Sequence, residues 1–130
     1  MKRVKEIATE LSKGNFKRAS DIRKEVSAED GGAHDLEIME IARQAMILNL
    51  KRGHVDAAKD IKKSFSLPQD IVDETIEQAV MSSVYEGDMK AVLRLKKELP
   101  INRDLGNRIV SYCASWGKKD NSLALEELFA

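Results

Sequence analysis

GDMKAVLRLKKELP, residues 87–100, is the stretch from which the rest of the chain is read. It consists of a glycine, a polar residue, then apolar side chains at helical spacing, closed by a proline. The pattern returns at Gly14, Gly53 and Gly117. Two residues after each glycine stand Phe16, Val55, Met89 and Lys119, and five after, Ala19, Ala58, Val92 and Ser122. Eight after are Ile22, Ile61, Leu95 and Leu125; twelve after, Val26, Phe65, Leu99 and Phe129. Only Lys119 and Ser122 depart from the apolar columns. A second set precedes the glycines: Ile7, Met46, Val80 and Val110 seven residues upstream, Leu11, Leu50, Val84 and Ala114 three upstream. That spacing keeps both on one helix face.

Each unit therefore reads as helix, glycine turn, helix, an αα-hairpin. The glycine suits the left-handed conformation that ends a helix. Asn15 and Asp88 are expected to cap the second helices, and His54 is a poorer cap. Four hairpins, about eight helices, are expected at about 2–26, 36–65, 70–99 and 103–129. Residues 27–35, SAEDGGAHD, read as one long turn-rich loop, and Pro68 and Pro100 stop the second and third hairpins. From glycine to glycine the spacing is 39, 34 and 30 residues. Such periods mark stacked helical solenoids, so the expectation is an all-α solenoid forming one domain over residues 1–130. An irregular eight-helix bundle is the competing architecture. The ending Leu128-Phe129-Ala130 lacks a polar cap, which suggests a piece of a longer array or an end that self-associates.

Bulk composition narrows function. The 130 residues are 42% apolar and 34% charged, with 22 Lys+Arg against 22 Asp+Glu. Global charge thus gives no argument for a nucleic-acid partner. Cys113 stands alone and demands no oxidising compartment. No apolar run approaches the roughly 18 residues of a membrane span, and the basic start lacks the apolar core of a signal peptide. The expectation is a soluble, intracellular chain without membrane contact.

Catalysis finds little footing. His34 and His54 lie 20 residues apart, with no second ligand at metal spacing. Cys113 adjoins an apolar column and reads as a core thiol. Gly31-Gly32 lacks the lysine and helix pattern of a phosphate loop. No enzyme, metal or cofactor is expected.

Residues 104–129, DLGNRIVSYCASWGKKDNSLALEELF, resemble a pentatricopeptide repeat: Asn107, Ile109-Val110, Tyr112-Cys113, Gly117, Leu123-Ala124-Leu125 and Leu128-Phe129. Pro100 with Asn102 resembles that family's inter-repeat link. The other three units share the glycine and the apolar columns. The broader tetratricopeptide class fits less well, since its Trp…Leu-Gly…Tyr signature is absent. The resemblance implies a right-handed superhelix that binds single-stranded RNA along its first helices, one base per repeat. The base-reading position, ten residues before the glycine, holds Val4, Arg43, Glu77 and Asn107. Of these Asn107 is a usual reader, with Asn102 its polar partner. Organellar location is common in the family, so the mitochondrial matrix or the cytoplasm is implied.

On that reading the exposed groove set is Lys5, Arg43, Gln44, Glu77, Gln78, Asn107 and Arg108, open to RNA or to a peptide. Tyr85 and Tyr112 are stacking platforms or, more simply, half-buried packing. Trp116 is expected to anchor a turn. A basic ridge, Arg23-Lys24, Lys62-Lys63 and Lys96-Lys97, recurs nine and ten residues after the glycine. In a solenoid these pairs fall about 10 Å apart, either as a surface for phosphates or an acidic partner or as a solvated face with i,i+4 partners. The expected function is a non-catalytic RNA-binding module, and the alternative is a protein–protein scaffold without nucleic-acid binding.

Overall fold

The computed structural model describes residues 2–99, 101 and 103–115, with side chains from residue 3 to 112. These residues are all-helical, with no strand. The helices are α1 (Lys2–Ser12), α2 (Phe16–Asp30), α3 (Asp35–Lys51), α4 (Val55–Ser64), α5 (Gln69–Tyr85), α6 (Met89–Glu98) and α7 (Arg103–Ser115). None is long and apolar enough to cross a membrane.

The three described glycine turns are built alike. Gly14, Gly53 and Gly87 have φ of 82°, 82° and 78°. In each, the glycine N–H donates to the carbonyl three residues back, at Leu11, Leu50 and Val84. The N–H of the next residue donates five back, from Asn15 to Glu10, His54 to Asn49 and Asp88 to Ser83. This is the Schellman closure, which satisfies the last carbonyls of the first helix and turns the chain directly into the second. Caps differ among the copies. The Asp88 carboxylate accepts from the Ala91 N–H at 3.1 Å, as expected. Asn15 does not cap, because its amide donates to Glu10 at 2.9 Å instead.

The long loop is shorter than the sequence suggests. Helix α2 continues through residues 27–30, because Ala28 and Glu29 propagate a helix and only Gly31-Gly32 stop it. Asp30 then closes the link: its Oδ1 accepts from the Gly32 and Ala33 N–H groups, and its Oδ2 lies 2.6 Å from His34 Nδ1. That His34 contact, with the two backbone donors, lowers the Asp30 pKa below the usual carboxylate range. At the other end of hairpin two, Ser66 takes a left-handed φ of 50°, a conformation usually left to glycine. Pro68 then stands extended before α5.

Packing follows the helix faces. Within hairpins, α1 lies on α2, α3 on α4 and α5 on α6; between them, α1, α3, α5 and α7 contact in series, and α2 contacts α4. The core is continuous across these layers and includes the expected columns Ile7, Met46 and Val80, and Leu11, Leu50 and Val84. Ser20 Oγ, buried between α2 and α4, donates to the Ser64 carbonyl at 2.8 Å and satisfies the frayed end of α4. The expectations placed on Cys113, Trp116, Gly117, Phe129 and the second helix of hairpin four lie outside the described residues or side chains.

Candidate functional site

The series α1–α3–α5–α7 makes one face of the molecule, and the sequence-predicted groove residues all stand on it. Several of them are engaged with neighbouring side chains and are not free. Arg43 on α3 donates to Gln78 on α5 and pairs with Glu40 at 3.3 Å. Arg108 on α7 donates through Nε to Glu77 on α5 at 3.2 Å. Both pairs obey one register: the residue ten before the glycine of one hairpin meets the residue nine before the glycine of the next. Lys51 and Glu86, two and one residues before their glycines, bridge α3 and α5 at 2.6 Å in the same sense.

Glu77 is corrected by this register. Expected on the exposed set, it is 9% exposed, covered between α5 and α7 with its carboxylate turned to Arg108. Arg43 is half-buried, and its Nε has no hydrogen-bond partner among the described residues. Gln44 donates to Glu40 at 2.8 Å. Lys5, on the first hairpin, is exposed beside Glu6 and Arg18. Asn107 is exposed. Tyr85 and Tyr112, at 68% and 47% exposed, are surface side chains and not the half-buried packing favoured from sequence.

Removing Arg108 leaves Glu77 covered with no cation. Arg108→Ala is expected to cost about 1–2 kcal/mol, the range for orphaning a largely buried polar group. Urea denaturation of Arg108→Ala, Glu77→Gln and the double variant would show it, with the double variant less damaged than the sum of the two. Additive losses would mean that the pair is not coupled.

The basic ridge lies on α2, α4 and α6. Lys24, Lys63, Lys96 and Lys97 are exposed; Arg23 and Lys62 are half-buried. Lys62 donates to Gln69 at 3.2 Å. Among the described residues these six side chains make no i,i+4 ion pair.

One feature of the face went unread in the sequence. Between α1 and α3 a cleft of about 720 Å³ opens at the glycine-turn edge, walled by Leu11, Phe16, Ile41, Ala45 and Leu48. A small side chain, Ala8, is part of its wall. Six residues before the glycine stand Ala8, Ile47, Met81 and Ser111. Ile47 packs partly buried against the core. Ala8 stays exposed, lining the cleft. Leu48 is 46% exposed. Ala8 stands in that column where the next two units carry the larger Ile47 and Met81.

Among the described residues no group of three His, Cys, Asp or Glu side chains comes together as metal ligands. Compared with family models, curated proteins and solved structures, the chain finds no match.

Proposed function

We propose that the chain is a non-catalytic binding module, a right-handed α-solenoid of the pentatricopeptide-like and tetratricopeptide-like kind, whose ligand is a protein and not RNA. Three turns of one geometry, and first helices contacting first helices in series, support the repeat architecture. The observation that carries the choice of ligand is the lateral pairing of Arg43 with Gln78 and of Glu77 with Arg108. A base-reading side chain must leave its donors and acceptors open to a Watson–Crick edge. Here Arg43 and Glu77 are engaged with the neighbouring hairpin, and Val4 is buried. Equal numbers of acidic and basic residues also supply no net field for phosphate. What the face offers instead is apolar surface in the α1–α3 cleft. Such a scaffold suits the mitochondrial matrix or the cytoplasm.

A second reading rests on the ridge, where exposed lysines that make no ion pair among the described residues are the elements of a phosphate-tracking surface. Fluorescence anisotropy of labelled single-stranded RNA at low and physiological salt separates the two. The protein reading expects no saturable binding at physiological salt. Salt-sensitive binding that falls in Arg43→Ala and Arg108→Ala would overturn it in favour of base reading. Binding lost only in Lys63→Glu with Lys97→Glu would overturn it in favour of the ridge.

A further inference from the structure

We infer that the α1–α3 cleft receives an acidic amphipathic helix of a partner protein, an assignment that rests on the scaffold reading. The apolar part of the argument is the cleft itself. Its volume of about 720 Å³ falls in the range of pockets that hold a ligand's anchoring groups, ~300–1,000 Å³. An apolar groove takes an amphipathic helix by the apolar side chains that helix presents at i, i+3, i+4 and i+7.

The sign of the partner follows from the register. In the α3–α5 junction the position one before the glycine is Glu86, and Lys51 neutralises it. In the α1–α3 junction the corresponding positions hold Arg52 and Ser12. Serine cannot pair with Arg52, and the residue one before the first glycine is a second cation, Lys13. Both are exposed at the cleft mouth, and neither makes an ion pair among the described residues. The carboxylate at the opposite end, Glu40, is already held by Arg43 and Gln44. The cleft is therefore apolar inside, cationic at one end and neutralised at the other. A helix with leucine-like anchors and carboxylates near one end complements it.

The probe is a phage-displayed library of helix-forming peptides about sixteen residues long, long enough for four i, i+3/i+4 anchors. It is selected on the whole chain and counter-selected on Ala8→Met. That substitution places in hairpin one the side chain hairpin three already carries as Met81, so it fills the cleft without altering the paired face. A raised melting temperature verifies that Ala8→Met folds and packs. Expected are enriched peptides of net negative charge with apolar anchors at those spacings. A synthetic representative should lose at least tenfold in affinity against Leu48→Asp, and Lys13→Glu with Arg52→Glu should reverse the preference toward basic peptides. Enrichment of neutral or basic peptides, no enrichment over Ala8→Met, or binding that survives Leu48→Asp would overturn the assignment. So would a concentration-dependent mass in sedimentation that Leu48→Asp abolishes, since a second copy would then be the occupant. The RNA titration stands apart: RNA binding through Arg43 and Arg108 would remove the scaffold reading, whereas failed selection without RNA binding removes only the cleft assignment.

Discussion

Leu50→Ala is expected to lower the free energy of unfolding by about 3–4 kcal/mol, within the range for emptying a buried leucine site. Leu50 is fully buried, three residues before Gly53 on α3. That helix contacts α1, α4 and α5, and Leu50 belongs to the core that runs across them. The site collapses poorly, because its backbone carbonyl is also held by the Gly53 N–H at 3.1 Å. A loss of that size is a large share of the roughly 5–15 kcal/mol that holds a domain together. Urea unfolding followed by circular dichroism would measure it, with Leu48→Ala as the control. Leu48 is half-exposed in the cleft, and its truncation should cost under about 1 kcal/mol. Equal losses at the two positions would mean that α3 is not the shared wall of the core.

Gly53→Val is expected to cost about 2–3 kcal/mol. The backbone there sits at φ 82°, where a β-branched side chain is a severe outlier, and the left-handed conformation alone carries ~1–2 kcal/mol for an L-residue. A second contribution comes from the neighbour. A Cβ at Gly53 would stand 2.8 Å from the Arg94 guanidinium carbon, so Arg94 must swing away. At Gly87, with φ 78°, nothing lies within 4 Å. Gly87→Val should therefore cost less than Gly53→Val, and the difference should vanish in an Arg94→Ala background. A difference that persists there would assign it to something other than that contact.

The hairpin plan was legible because it depends on local chemistry. Glycine ends a helix in the left-handed region wherever it stands, and apolar residues three and four apart fall on one face in any helix. Hence Gly14, Gly53 and Gly87 turn as expected, and Ile7, Leu11, Met46, Leu50, Val80 and Val84 lie in the core. Two local details were misread for local reasons. The run through Asp30 is helical because a chain needs a breaker to stop, and the polar character of residues 27–30 is not one. Asn15 leaves its cap because Glu10, five residues back across the turn, offers its amide a carboxylate.

The site was legible only in part. Arg43, Gln78, Glu77 and Arg108 were placed on the first-helix face, but their engagement with one another was not foreseen. The spacing of 31 and 35 residues that brings Arg108 to Glu77 and Gln78 to Arg43 becomes meaningful only once adjacent first helices are aligned. Periodicity along one helix contains no information on how far the next is shifted. The same holds for Tyr85 and Tyr112, whose exposure is set by what the neighbouring hairpin covers.

By itself, then, the sequence determined an all-α chain, the positions of its glycine turns and the stripe of each helix that is buried, because these arise from interactions within a few residues. The tertiary structure alone decided which polar side chains are consumed between hairpins and where apolar surface remains open. Those outcomes depend on the one-residue register between stacked helices. They show also in which side chains line the open cleft, Ala8 and Leu48 among them.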